Sequence, residues 1–211
     1  MNHRRLKYTR DGTVFHVCNR GVLRQPIFLD EFDYRICEEI LGESAKKYGV
    51  PLYAYCLMPN HWHLLVEAPT GVTLIRMLQR FSSTHARTLR KKQESQGTGA
   101  VYQSRYRAHA VQKGESFLKV RRYIEQNPVK AGLCPNPKDW PWSSASAKVR
   151  PIEISQATFA IPRTRPSGQD ENWNTLIESA LYGQRPLGEL DWQKALQDCS
   201  QQSADLGLLA A

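Results

Sequence analysis

Two histidines, His61 and His63, stand two residues apart in the run HWHLLVE, whose alternation is typical of a strand. Successive side chains of a strand point to opposite faces, so both imidazoles lie on one face, about 7 Å apart along the chain. Trp62, Leu64 and Val66 lie on the other face and can enter a core. Imidazoles are common metal ligands, so this strand could present a ligand pair. An isolated pair of this kind is more often chance, as ordinary surface or core histidines.

A second pair of polar residues, Tyr123 and Asn127, lies on a predicted helix just before Pro128. Residues four apart share a helical face, so the phenol and the amide can approach one site together. Val120 and Ile124 take the core face, which leaves Tyr123 at its edge, within reach of a cleft. A tyrosine in such a place is commonly a packing residue with a hydrated hydroxyl. The two pairs together favour a site more than either does alone.

Periodicity predicts the elements that position these residues. Strands are predicted at 13–19, 51–58, 61–67 and 101–112, and helices from the N-cap Asp30 to Gly49, over 73–92, and from Gly114 to not far past Pro128. The order strand, helix, strand, strand, helix, strand is that of the ferredoxin-like split βαβ fold, an α+β class with an antiparallel sheet. The helix at 115–127 is an addition to that plan.

The chain divides at about residue 135 into a first domain, 1–135, and an extension, 136–211. The Trp140, Pro141, Trp142 cluster predicts a segment that packs back on the body. Residues 148–170 look irregular, and 171–198 could form two short helices, a small helical tail.

Composition indicates a globular protein with a polyanionic partner. The formal charge is +9 and the pI is about 9.4 over 211 residues, which favours nucleic acid over a merely basic soluble protein. Five scattered cysteines show no zinc or disulfide spacing. No apolar run is long enough for a membrane span and no secretory signal is seen, so we expect a cytoplasmic location without membrane contact.

Several segments resemble a known family. HWH follows a YCLMPN turn, and YIEQNPVKAGL contains the tyrosine, as in the HUH single-tyrosine transposases. The chain is similar above all to their REP-associated branch, bacterial proteins that act on repeated extragenic palindromes. The likeness runs from FHVCNRG (15–21) through YAYCLMPNHWHLLVE (53–67) and YQSRYR (102–107) to the tyrosine segment, and thinly into WPWSSA (140–145). Each motif alone is unspecific, but the combination is specific.

The resemblance implies that residues 1–135 are a catalytic domain with Tyr123 as nucleophile. It implies that three side chains hold a divalent cation: His61, His63 and Asn127. Gln126 stays an alternative to Asn127, because some relatives use glutamine, but only Asn127 has the four-residue spacing. The implied reaction is metal-dependent cleavage and strand transfer on single-stranded DNA with REP-like hairpins, through a 5′-phosphotyrosine.

The identity of the metal depends on the resemblance. Two imidazoles by themselves favour zinc or a late transition metal, whereas the family implies Mg²⁺ or Mn²⁺. Lys119, one turn before the tyrosine, could help to ionise the phenol or could be a solvated or phosphate-binding lysine. Glu67, further along the histidine face, is better explained as a strand-end charge.

Candidate DNA contacts combine basic and aromatic side chains, which can neutralise phosphates and stack on unpaired bases. They are Asn19, Arg20, Arg76, Arg80, Arg87, Arg105, Tyr106 and Arg107. Each could instead be an ordinary surface residue, and the Arg76, Arg80, Arg87 stripe could be no more than a solvated helix face.

Other functions remain open at this point. A split βαβ sheet also occurs in RNA-recognition domains, so the chain could be a catalytically silent DNA- or RNA-binding regulator. Replication initiators and relaxases share the HUH motif, and a degenerate transposase could be retained as a regulator. Relatives include monomers and domain-swapped dimers; the long tail and the REP-associated likeness favour a monomer, with a homodimer as the alternative.

Overall fold

The computed structural model describes residues 6–92, 99–147 and 152–157. Within these ranges, four strands and three α-helices follow one another along the chain. They are β1 (Thr13–Arg20), α1 (Glu31–Tyr48), β2 (Leu52–Met58), β3 (His61–Ala68), α2 (Gly71–Lys92), β4 (Arg107–Val111) and α3 (Glu115–Lys130). The strands pair antiparallel in the order β2-β3-β1-β4. This is the ferredoxin-like α+β arrangement, so the predicted fold class is confirmed.

The sheet separates two hydrophobic clusters. The cluster under α1 and α2 contains Trp62, Leu64 and Phe81, all fully buried. The cluster under α3 contains Leu65 of β3 and Phe117 of α3. Helix α3 therefore covers the face that the split βαβ plan leaves open, as an addition to that plan.

The ends of the helices follow local chemistry. Asp30 caps α1 by accepting a hydrogen bond from the Asp33 amide at 3.0 Å, and Gly49 ends it with a left-handed φ of 59°. Helix α3 continues to Lys130, two residues beyond Pro128. Pro128 has no N–H to donate to the carbonyl of residue 124, so the last turn of the helix lacks one hydrogen bond.

The last strand differs from the prediction. The strand expected at 101–112 is regular only over Arg107–Val111, so its first half was wrong. Residues 103–106 leave the ladder, and Tyr102 returns to it through an isolated bridge to Gly21. The aromatic and β-branched residues of this segment favour extended backbone, but extended backbone need not pair with a neighbouring strand.

The first part of the extension packs along the edge of the sheet, as the tryptophan cluster predicted. The Leu57 amide donates to the Trp142 carbonyl at 2.8 Å, and the Ser144 amide donates to the Tyr55 carbonyl at 3.0 Å. The Trp140 indole N–H donates to the Leu57 carbonyl at 2.9 Å. These contacts cover the outer edge of β2, which would otherwise expose unpaired backbone groups. The two helices predicted within 171–198, and the irregular segment 148–170 apart from 152–157, lie outside the described residues.

Within the described ranges, no helix is both long and apolar enough to cross a membrane. Among the described residues, Cys18, Cys37, Cys56 and Cys134 form no disulfide bond, and the first three are buried.

Candidate active site between strand β3 and helix α3

The histidine pair lies on the α3 face of the sheet. His61 pairs across the ladder with Arg20, and His63 pairs with Cys18. Both histidines are buried, and their ring centroids lie 4.9 Å apart with the planes at 89°. Trp62 points to the opposite face and is fully buried. The predicted alternation thus brings two imidazoles together at one point between β3 and α3.

Hydrogen bonds orient each imidazole through its Nδ1. The Asn60 amide nitrogen donates to the Arg24 carbonyl at 2.7 Å, so the Asn60 oxygen faces His61 Nδ1, also at 2.7 Å. His61 Nδ1 therefore carries the proton, and its Nε2 carries the lone pair. His63 Nδ1 lies 3.0 Å from His16 Nε2. Such partners on the second nitrogen fix the tautomer and the ring orientation of a ligand histidine.

Burial keeps both imidazoles neutral. It lowers the pKa of His61 and of His63 well below the ordinary value, and the positive charge of Arg20 lowers both further. The pKa of His16 is lowered to about 3, again mainly by burial. Neutral imidazoles have the lone pair that metal coordination needs, so the two rings are suited to hold a cation at neutral pH.

The third predicted ligand is an amide that contacts the pair. The Asn127 side-chain oxygen can accept a hydrogen bond from the protonated form of His61, which opposes the fall in the His61 pKa. The Asn127 Nδ2 atom is buried without a hydrogen-bond partner, so it is the oxygen that faces the His61 ring. Within the described ranges, no three His, Cys, Asp or Glu side chains are grouped so as to hold a metal. Two imidazoles and one amide oxygen are nevertheless a donor set that fits a divalent cation with an otherwise open coordination shell.

Tyr123 lies against the same cluster. The residue is 3% exposed, and its ring centroid is 5.8 Å from that of His63 and 5.9 Å from that of His16. The Lys130 ammonium nitrogen lies 4.6 Å from the centroid of the Tyr123 ring. Lys119, in contrast, pairs with Glu115 at 3.0 Å along the helix. Lys130 thus places a positive charge beside the ring of Tyr123.

The predicted DNA contacts fall into two groups. Arg20 and Arg107 lie on the histidine face, where each is in register with a residue of the neighbouring strand. Asn19 is in register with Trp62 and faces the other way, while Arg105 and Tyr106 lie in the segment that leaves the ladder. The three arginines of α2 are carried by the helix on the far face, and one of them, Arg80, pairs with Glu43 at 3.5 Å. The structure therefore separates the α2 stripe from the histidines.

Sequence reasoning missed three residues of the cluster: His16, Asn60 and Lys130. His16 alternates with Cys18 and Arg20 along β1, but only the pairing of β1 with β3 shows that it meets the histidine pair. Lys130 stands seven residues after Tyr123, two helical turns on the same face, a spacing that could have been read from the sequence.

A family model described as "Transposase IS200 like" matches residues 10–127, more than half of the chain. The chain belongs to the IS200-like transposase family. The match includes the histidine pair, Tyr123 and Asn127, so these four residues fall within the part that defines the family. The family membership predicted from the sequence motifs is thereby confirmed.

Two individual relatives agree with this membership, and one solved structure aligns with the chain. A REP-associated tyrosine transposase of Escherichia coli is 24% identical over 144 residues, 68% of this chain and 82% of the relative. A candidate REP-associated tyrosine transposase of Haemophilus influenzae is 25% identical over 116 residues, 51% of this chain and 66%, just under two thirds, of the relative. A solved structure of a REP-associated tyrosine transposase bound to a REP hairpin aligns at 20% identity with a TM-score of 0.49, over 64% of this chain and 78% of that one.

Proposed function

We propose that this IS200-like protein is a divalent-metal-dependent endonuclease and strand-transferase for single-stranded DNA, with Tyr123 as nucleophile. One observation carries the proposal: a tyrosine, two neutral histidines and an amide meet in a single buried cluster between β3 and α3. These are the side chains that tyrosine attack on a phosphodiester needs, a nucleophile beside potential ligands for a charge-neutralising cation.

The proposed reaction is a transesterification. The Tyr123 oxygen loses its proton and bonds to a backbone phosphorus, and the bond from phosphorus to the 3′ oxygen breaks. The 3′ oxygen takes up a proton and leaves as a hydroxyl, while the 5′ phosphate stays on the tyrosine. One phosphodiester replaces another, so a later 3′-hydroxyl can reverse the step and join strands.

His61, His63 and Asn127 would hold the cation, Mg²⁺ or Mn²⁺. When bound, it supplies positive charge that reduces the repulsion between the attacking oxygen and the phosphodiester. The chain itself prepares the site: Asn60 and His16 fix the two imidazoles, and burial keeps them neutral. The Lys130 ammonium stabilises negative charge on the phenol as its proton leaves.

The proposed substrate is single-stranded DNA with a REP-like hairpin. The Escherichia coli relative is a REP-associated transposase, and the net charge of +9 suits a DNA partner. Such an enzyme works at chromosomal DNA, so the proposal places it at the bacterial nucleoid in the cytoplasm. Tyr123 contacts His63 of its own chain, so one chain supplies a whole site, which supports a monomer as the active form.

The geometry gives less support to a silent binding module. RNA-recognition domains stack bases on an open face of the sheet. Here α1 and α2 cover one face, and α3 covers much of the other. The buried cluster would also have no purpose in such a module.

A cleavage assay tests the proposal. Labelled single-stranded DNA carrying REP-like hairpins is incubated with the protein and Mg²⁺ or Mn²⁺, and the products are separated on a denaturing gel. We expect cleavage and a protein–DNA adduct with the unaltered chain, and neither with Tyr123→Phe or with EDTA. Tyr123→Phe keeps the buried ring, so its circular dichroism should stay that of the folded chain. A protein that shifts these hairpins in native gels but never cuts them would replace the proposal with the silent-regulator function.

A further inference from the structure

The sheet edge beside the histidines carries a bulge that opens two cavities. The last regular pair between β1 and β4 is Cys18 with Arg107. An unbroken ladder would then set Gly21 opposite Ser104, but Gly21 bridges Tyr102 instead, so two extra residues bulge out of the ladder. The Gln103 amide donates to the Arg20 carbonyl at 2.9 Å and closes the far end of the bulge. Bulges of this kind are enriched beside active sites.

The first cavity is strongly basic. It measures about 100 Å³, and three arginines contribute to its lining: Arg20, Arg24 and Arg107. The other lining residues are Cys18, Asn19, Gln103 and Ser104. Guanidinium groups present several N–H donors and a positive charge, which suit the oxygens of a phosphate. The chemistry of this cavity therefore selects an anion of phosphate size.

The basic cavity borders the candidate active site. Arg20 is in register with His61 across the β1–β3 ladder, on the histidine face of the sheet. A phosphate held by Arg20 would thus be close to the catalytic cluster. In a DNA strand, the phosphate nearest to the reacting one belongs to an adjacent nucleotide.

The second cavity adjoins the first and has a different lining. It measures about 410 Å³ and shares Asn19 and Ser104 with the basic cavity. Its remaining lining includes Leu78, Tyr106 and Ser82, and the Ser82 hydroxyl is buried without a hydrogen-bond partner. An apolar and aromatic surface with an amide and an unused hydroxyl is suited to the flat face and the polar edge of an unpaired base.

We propose that the two cavities form one nucleotide-binding site, with a backbone phosphate among the three arginines and an unpaired base in the second cavity. The site rests on the proposed function, because it takes single-stranded DNA as its ligand. It would fix the position of the strand relative to Tyr123 and so select the bond that is cut.

The test scans the DNA, using the Tyr123→Phe chain so that nothing is cleaved. The probe is a fluorescein-labelled REP-like hairpin with a single-stranded flank. In one series each flank phosphate in turn is a neutral methylphosphonate, and in the other each flank base in turn is removed. Binding is measured by fluorescence anisotropy. We expect large effects at one phosphate and one neighbouring base only. Neutralising that phosphate or removing that base should each weaken binding by about tenfold. Equal effects along the flank would overturn the proposal.

Protein variants link these positions to the cavities. Arg24→Gln should weaken binding, and the sensitive methylphosphonate should then add no further loss. Ser82→Leu fills the second cavity, so it should remove the sensitivity to the missing base. Arg35→Gln, an exposed arginine of α1 outside both cavities, is the charge-matched control. If Arg24→Gln and Arg35→Gln behave alike, the phosphate assignment is wrong. The DNA series gives its answer even if a variant fails to fold.

The result is separable from that of the cleavage assay. If the unaltered chain cleaves the DNA but every flank position affects binding equally, only the nucleotide site is overturned. If binding depends on one phosphate and one base but the unaltered chain never cleaves, the proposed reaction is overturned and the nucleotide site is retained.

Discussion

The sheet carries a histidine–tyrosine cluster on each face, and the two differ in how their polar atoms are used. On the α2 side, the Tyr102 hydroxyl accepts from the Trp62 indole at 3.1 Å and bonds His85 Nδ1 at 2.5 Å. On the α3 side, the imidazoles are bonded through Nδ1 to Asn60 and His16, beside the ring of Tyr123. The first cluster joins three side chains of the core to one another. The second directs two imidazoles and an amide oxygen to one place.

The difference shows that residue type and burial do not by themselves mark a reactive site. His85 is as buried as His16, and burial lowers the pKa of each to about 3. What distinguishes the α3 side is the convergence of several donors, with partners that hold them in position. The predictions below test that distinction.

The largest effect is expected from the histidine pair. His61→Ala or His63→Ala should lower the cleavage rate with Mn²⁺ by more than about a hundredfold, since loss of an outer-shell partner alone can cost that much. His85→Ala should reduce the melting temperature through a buried cavity, while the folded fraction still cleaves. Cleavage rates and thermal melts measured in parallel check this. Equal losses of cleavage in all three variants would erase the distinction between the two clusters.

A smaller effect is expected for the residue that orients His63. His16→Ala should weaken Mn²⁺ binding by roughly tenfold to a hundredfold, because the His63 ring loses its partner at Nδ1. The measurement is calorimetric titration of the metal-free protein with Mn²⁺. His109→Ala is the matched control, because His109 is in register with His16 on β4, one strand further away. Unchanged affinity in His16→Ala would contradict the positioning role.

The cluster of Tyr102, Trp62 and His85 should contribute to the free energy of unfolding. Tyr102→Phe leaves the Trp62 indole and His85 Nδ1 without their partner, which should cost about 1–3 kcal/mol of unfolding free energy. Urea denaturation of the variant and the unaltered chain gives the value. A free energy of unfolding unchanged within error would mean that this network does not stabilise the core.

Both clusters should make stability depend on pH. The folded-state pKa of His85 and of His16 is about 3, below the ordinary 6.5, so between these values the unfolded chain binds protons that the folded chain does not. Stability should therefore fall as the pH drops below about 6.5, by about 1.4 kcal/mol per pH unit for each buried histidine. Urea denaturation in EDTA across this range measures the slope. His85→Leu should reduce the slope of stability against pH by the contribution of one histidine. An unchanged slope would show that His85 does not contribute.

The features that were predictable from sequence depend on local pattern. The two faces of β3 follow from the alternation around Trp62, and the approach of Asn127 to the site follows from its four-residue spacing from Tyr123. Asp30 and Gly49 mark the ends of α1, because helix caps depend only on local hydrogen bonds and on the conformation of one residue. The family motifs then joined β3 and α3 into one site.

The features that were missed depend on contacts between distant segments. His16 acquires a role only because β1 pairs with β3, which places it beside His63, 47 residues away. The bulge at 103–106 arises where β4 leaves β1, although Tyr106 and the neighbouring Tyr102 favour extended backbone as the paired residues do. Local propensity does not determine which extended residues enter a ladder.

The most direct test of the central claim is to locate the covalent bond to DNA. Trypsin cuts after Arg122 and Lys130, so Tyr123 is the only tyrosine in the peptide 123–130. After reaction with a REP-like hairpin and Mn²⁺, nuclease trimming and mass spectrometry should find a nucleotide 5′-phosphate on that peptide. An adduct on a different tyrosine, or cleavage without any adduct, would contradict the assignment of Tyr123 as the nucleophile of the β3–α3 site.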